Sequence, residues 1–384
     1  MSKWSDRTFL DGLRQAGDPL ADAAVARLRD EGGARAVGAA FRHLQGNATP
    51  LPADAPDALH AFMRDTGGLP PWVQPSRLQA GSDAFLKNAL PSVIVLLASS
   101  LPRGYAAPCL TQILSISRNL ERHPYERLMG VVQLLVNVSD HRAFLDGGNA
   151  IVTAKKLRLL HAGIRVIADE YRPDYRAQYG VPVNHEDMLA TIMAFSYLLV
   201  AGIRRLGLPL ADQEAEDLYY LWRVFAVLMG IHPPGAPHDD SLVPATVAEA
   251  GEFYAAYVAR NNTGPEENAY GVTLTEDNLA MMEQLLPPIT RLCGLGFAPH
   301  LCMTELMSAE ELARVGFSPM PGHRLLRRVL TLVLRAGQWT GHHDAFSAHL
   351  AHLVLQGMVE VDRRGEVAFS VPFDRLDLQG PAFR

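Results

Sequence analysis

Between about Pro70 and Ile231, apolar residues recur at three- and four-residue intervals, and few stretches alternate strictly between apolar and polar. That is the period of helices rather than strands. The spacing predicts helices over 84–100, 105–120, 126–138, 150–168, 185–205 and 213–229, separated by turn residues. After the loop HPPGAPHDD at 232–240, further helices are expected around 245–260 and 276–292. The run SAEE from Ser308 to Glu311 reads as a capping box that starts a short helix. In such a box the serine oxygen accepts the glutamate N–H and the glutamate carboxylate accepts the serine N–H.

The flanks differ from this core. Residues 5–45 read as charged amphipathic helices, and NATPLPADAPDA from Asn47 to Ala58 reads as a linker. Helices are expected over 324–334 and 345–355, and GMVEVDRRGEVAFSVP from Gly357 to Pro372 reads as two alternating strands around a turn. The order helix, helix, hairpin is that of a winged-helix module. Its arginines are matched by acidic residues, so a packing appendage is expected rather than a DNA-binding one. The chain therefore divides into an N-terminal helical cap and linker over 1–68, a helical core over 69–322 and a C-terminal helix-plus-hairpin appendage over 323–384. The fold class is mainly α.

Composition narrows the classes. With 48% hydrophobic and 20% charged residues, the chain can bury a sizeable core. A formal charge of −6 argues against nucleic acid as a partner, because phosphate binding needs a basic surface. Cys109, Cys293 and Cys302 form no CxxC pair, which suits a reducing cytoplasm and supports neither a disulfide framework nor a zinc ribbon. The N-terminus lacks the pattern of a secretory signal. The uncharged run from Met188 to Ile203 falls short of the roughly 20 residues needed to cross a bilayer and reads as a core helix rather than a membrane span. No GxGxxG, GxxxxGK[ST] or GxSxG motif is present.

Three clusters carry candidate chemistry. NHED at Asn184 to Asp187 holds possible metal ligands, but an asparagine after Pro182 followed by two acids better fits a helix N-cap. GHHDAFSAHLAH, from Gly341 to His352, has histidines at helical spacing yet no completing ligand, and reads as a polar helix flank. In KKLRLLHAGIR at 155–165, Leu157, Leu160, Ile164 and Ala168 form an apolar stripe with His161 at its edge and Arg158 and Arg165 just beyond. A haem asks for such a combination: an imidazole for the iron, an apolar wall for the ring and cations for two propionates. A hydrogen-bonded core histidine beside solvent-facing arginines accounts for the same pattern.

A longer succession of segments adds to this. LPPWV at Leu69, GYAAP at Gly104, ERL at Glu126, RLLHAGIR at Arg158, YGVPVNHEDM at Tyr179, FSYLLVAGIRRLG at Phe195 and EDLYYLWRVFAVLMGI at Glu216 together resemble, in order and spacing, the DUF2236 family. That family includes the latex clearing protein rubber oxygenases and the fungal MpaB oxygenases. The resemblance implies a globin-like helical bundle that holds haem b, with His161 as the proximal ligand of its iron. It implies Arg158 and Arg165 orienting that ligand or meeting the propionates, and Arg127 on the distal side. It also implies an apolar, possibly unsaturated small-molecule substrate, with dioxygen or peroxide as co-substrate. The distal pattern departs from the rubber oxygenases, which carry a lysine and a threonine where this chain has Gly130 and Val131. Where those enzymes place a glutamate base, this chain has Thr111 and Gln112. A haem-binding sensor or carrier without turnover is therefore the alternative expectation, and a member that has lost haem is a third.

Overall fold

The structure, a computed structural model, describes residues 2–30, 51, 55–65, 68–117, 124–146, 148–285 and 296–321, with backbone alone for 65, 117, 124–129 and 285. The expected C-terminal helices and hairpin, and the GHHDAFSAHLAH cluster, lie outside these residues. The described chain is mainly α, with no strand among the described residues.

Helix Asp212–Leu228 forms the centre of the bundle. Leu218, Tyr219, Leu221, Trp222, Val224 and Phe225 are each at most 1% exposed, and every such side chain contributes about 1.5–3 kcal/mol of burial free energy. Trp222 stacks on Phe195 with ring centroids 4.9 Å apart. Arg223 instead turns outward to pair with Asp240. Helix Pro75–Lys87 packs along this central helix most closely at Gly81, where an added Cβ would lie 2.2 Å from the Asp217 carbonyl oxygen. Only glycine allows the two backbones to approach so far.

Two helices expected to be continuous are broken. The apolar run expected as one helix over 84–100 belongs to two, Pro75–Lys87 and Ala89–Tyr105, bent by 79°. Asn88 sits at the bend fully buried, its amide donating to Ala84 O at 3.0 Å. Pro91 cannot donate a backbone hydrogen bond and clashes with the carbonyl four residues earlier, so it is accommodated in the first turn of a new helix. A five-residue π turn, Leu96–Ser100, follows. The expected helix over 185–205 divides at Ser196, with φ −130 and ψ −82, into His185–Phe195 and Tyr197–Arg205. Taken together these two are long and apolar enough to cross a membrane, but 83% of their apolar window is buried inside the molecule.

Helix ends match the local chemistry. Asn184 caps His185–Phe195, accepting the Asp187 N–H at 2.9 Å, and the Ser308/Glu311 capping box is formed. Helix Ala150–Tyr171 carries His161 and ends two residues before Pro173, since a residue preceding proline is pushed out of helical geometry.

The N-terminal segment threads into the bundle rather than lying outside it. Trp4, Leu10 and Leu13 belong to the same hydrophobic cluster as Trp222 and Phe225. Arg14 of helix Arg7–Arg14 reaches the capped start of His185–Phe195, donating to Glu186 at 2.6 Å and to Asp187 at 3.2 Å. A second N-terminal helix, over 19–30, packs Ala21, Ala24, Val25 and Leu28 against Leu159 and Ala162 of the His161 helix.

Candidate functional site

His161 lies in the middle of helix Ala150–Tyr171. Its ring keeps some accessible surface, yet it sits deep enough in protein for burial to dominate its ionisation. Burial, followed by the positive charge of Arg165, pushes its pKa down to about 3, with Asp18 acting in the opposite sense. The imidazole is therefore neutral at physiological pH and offers a lone pair. Its Nδ1 is buried and has no hydrogen-bond partner in the protein.

The neighbours on either side are apolar. Leu157 packs against the main core, and Ile164 packs against Ile113 and Ile116 of helix Pro108–Ser117. All three of Leu157, His161 and Ile164 are only partly covered. At spacings of four and three they share one side of the helix, giving an imidazole framed by branched aliphatic groups.

The arginines of the same helix lie beside that stripe and turn to carboxylates of the N-terminal segment. Arg158 donates to Asp18 through Nε at 2.6 Å and Nη2 at 2.9 Å, a buried two-pronged ion pair. Its Nη1 reaches Leu228 O at 3.4 Å, and an added Cβ on Gly230, where φ is +88, would stand 3.0 Å from Arg158 Nε. Arg165 donates to Asp22 at 2.7 Å and to Val183 O at 3.3 Å, while its Nη2 is buried without a partner. Val183 has φ 53, a left-handed conformation that a β-branched residue adopts at a cost. Arg165 thus ties the His161 helix to a strained turn just ahead of the Asn184 cap.

Arg127 lies in helix Pro124–Val138, and its side chain is outside the described residues. An added Cβ at Gly130 would meet nothing within 4 Å. Thr111 donates to Asn268 Oδ1 at 2.8 Å, and Gln112 accepts from Arg172 at 2.9 Å. Neither is a carboxylate, and both are engaged in bonds between helices.

Sequence reasoning missed Asp18, Asp22 and His232, and it read His185 only as part of the NHED helix cap. His185 is 4% exposed with both ring nitrogens unpartnered, and burial pushes its pKa down to about 4. The one available signal was Asp18-Pro19, an N-cap followed by proline at the first helical position. Indeed Asp18 Oδ1 accepts the Ala21 N–H at 3.2 Å. Nothing local in the sequence connects that cap to Arg158.

Among the described residues, no three His, Cys, Asp or Glu side chains converge on a metal site. A lone imidazole is the donor set for a metal that arrives with other ligands, as haem iron does with four ring nitrogens. A separate surface cleft of about 660 Å³ is lined by Arg14, Cys109, Tyr179, Arg260 and Asn261 among others. Its two inner arginines are neutralised by Glu186 and Asp187. Burial raises the Cys109 thiol far from thiolate chemistry, and we assign the cleft no reaction.

The family model described as "ER-bound oxygenase mpaB/B'/Rubber oxygenase, catalytic domain" matches residues 92–336, well over half of the chain. A rubber oxygenase of Streptomyces sp. (strain K30) is 25% identical over 253 residues, which is 63% of this chain and 60% of that relative. The match thus spans less than two thirds of the relative's length. The structure of latex clearing protein LCP in the closed state superposes with a TM-score of 0.72 over 89% of this chain and 91% of that one, at 20% identity. This likeness shows a shared fold.

Proposed function

Because the chain belongs to the family of ER-bound mpaB oxygenases and rubber oxygenases, we propose that it is a haem b-dependent oxygenase acting on an apolar, unsaturated small molecule, with His161 as the iron ligand. One observation carries this reading: His161, partly exposed between Leu157 and Ile164 on its helix, is held neutral by burial and by Arg165 and so keeps a lone pair for a metal.

Haem b, when bound, supplies an iron centre for dioxygen or peroxide chemistry. The protein's part is to hold and shield it. His161 donates its lone pair, already free of a proton because burial and Arg165 disfavour the imidazolium. Leu157 and Ile164 keep water from the ring face. Arg158, fully engaged by Asp18, fixes the rotation of the His161 helix, while Arg165 keeps an N–H free at Nη2 for a carboxylate or water. Gly130 offers no side-chain ligand, so a bound haem would keep a position for a small molecule, and Arg127, three residues before it, would be a polar group there.

The alternative, a haem-binding sensor or carrier without turnover, is favoured by one specific observation. Thr111 and Gln112 are both committed to structural bonds, so neither is a free proton acceptor. Reconstitution with haemin tests both readings. A red-shifted Soret band that His161→Ala abolishes is expected, and a band indifferent to that substitution would end the assignment. Dioxygen uptake with an added long-chain olefin then separates oxygenase from carrier.

A further inference from the structure

Behind the His161 helix, on the side of residues 19–30, polar groups converge on one carboxylate. Asp18 is held by Arg158 and by its own N-cap bond to Ala21. Around it, Arg165 donates to Val183 O, two residues before His185, and the His185 N–H donates to Ala16 O, two residues before Asp18. His232 follows Gly230, whose Cβ position is 3.1 Å from Asp18 Oδ2. The rings of His161, His185 and His232 each feel the Asp18 charge. These three rings and Arg165 carry buried polar atoms without a protein partner: His161 Nδ1, both ring nitrogens of His185, His232 Nε2 and Arg165 Nη2. The His185 side chain makes no hydrogen bond. Its backbone N–H alone is tied, to Ala16 O at 3.0 Å.

Buried polar atoms rarely go without partners, and five on the side chains around one carboxylate point to a shared partner. Arg165 Nη2 can only donate, whereas each neutral imidazole donates at one nitrogen and accepts at the other. An anion would offer no proton to a bare imidazole nitrogen and would face the Asp18 carboxylate. A cation would face Arg165. Water both accepts from the guanidinium and donates to the imidazoles, and a buried water typically makes about three such bonds.

We propose that this chamber is filled by ordered water held by His185, His232 and Arg165, and that this water accepts the Nδ1–H of His161. It rests on the reading of His161 as the iron ligand. In most such sites the second imidazole N–H goes to a carboxylate or a backbone carbonyl. Here the nearby carboxylate, Asp18, is already taken by Arg158, which leaves water as the acceptor and makes His185 a positioning residue for the ligand. A neutral acceptor beside a guanidinium draws less on the N–H than a carboxylate does. The His161 ring is therefore less electron-rich, and a bound iron is easier to reduce.

Two variants and two measurements test this. His185→Phe fills the chamber with an apolar ring, and His185→Gln keeps one donor and one acceptor. A high-resolution crystal structure of the purified protein is expected to show water within hydrogen-bond distance of His185 and of His161 Nδ1. In the ferrous haem-loaded protein, resonance Raman is expected to show the iron–histidine stretch at lower frequency in His185→Phe and restored in His185→Gln, with the Soret band present in all three. A dry chamber, a metal or anion in its place, or an unmoved stretch in a folded His185→Phe protein overturns the proposal. Should His185→Phe not fold, His185→Leu takes its place, with a lower stretch expected and an unmoved one overturning the proposal, and the water positions in the unsubstituted protein decide the hydration. Loss of haem binding altogether would show separately as a missing Soret band, and water seen in such a protein would sink the positioning role while leaving the chamber's hydration in place.

Discussion

His185 and His161 are both buried neutral histidines, and each makes folding depend on pH in the same sense. Burial holds the His185 pKa at about 4, against about 6.5 in an unfolded chain. Between those values the unfolded state binds a proton that the folded state refuses, so this stabilisation is complete above pH 6.5 and is lost as pH falls toward 4. From pH 6.5 to pH 5 the loss from His185 alone is about 2 kcal/mol, at about 1.36 kcal/mol per pH unit. Urea denaturation at the two pH values should show the unsubstituted protein losing more stability than His185→Gln, and equal slopes would refute the burial of a neutral ring. Gly130 permits a second test at this scale. Since a Cβ there meets nothing within 4 Å, Gly130→Lys should fold normally and place an amine where the resemblance to rubber oxygenases expects a lysine. In the haem-loaded protein, the absorption spectrum should then change from that of an open iron to that of a six-coordinate one. An unchanged spectrum would mean that Gly130 does not face the site.

Among the elements, the helix carrying His161 was legible because its apolar spacing and its stop before Pro173 agree. The NHED cap and the SAEE box were legible because capping is local chemistry. The bend at Asn88 and the break at Ser196 were not, since the apolar pattern runs through both and only the bonds from Asn88 to Ala84 and from Ser196 to Ile192 mark the interruptions. The docking of helix 19–30 on the His161 helix depends on a pair with the side chains of Arg158 and Asp18 only 3% and 5% exposed. Removing one partner strands the other charge, so Asp18→Ala should cost about 3–5 kcal/mol in chemical denaturation. The apolar exchange Asp18→Leu with Arg158→Met should recover most of that, and a cost equal to the single variant's would contradict the desolvation argument. Gly81→Ala makes a parallel case without charge. Its Cβ would press on the Asp217 carbonyl oxygen, and overpacking of this kind costs about 1–3 kcal/mol, read as a lower melting temperature.

At the scale of the whole molecule, the surroundings of His161 come from segments far apart in the chain: Asp18 and Asp22, the helix with Arg158 and Arg165, the Val183–His185 turn, and the Leu228–His232 corner. Periodicity found the ligand candidate because that is a property of one helix. It placed Arg158 and Arg165 on the correct element but could not show where they point, because their partners lie in an N-terminal segment read as a separate cap. With the N-terminal segment tied to the His161 helix and the central helix through buried ion pairs and a shared core, the site should not unfold on its own. Haem binding to the folded state alone would stabilise it by about 2.7 kcal/mol at a free concentration one hundred times the dissociation constant. Urea titration of the haem-loaded protein should therefore show the Soret band and the far-ultraviolet helical signal lost together, at a higher midpoint than without haem. In His161→Ala the haem-dependent rise in midpoint should vanish. A Soret band lost well before helicity would instead show that the segments around His161 form a local unit that opens independently of the bundle.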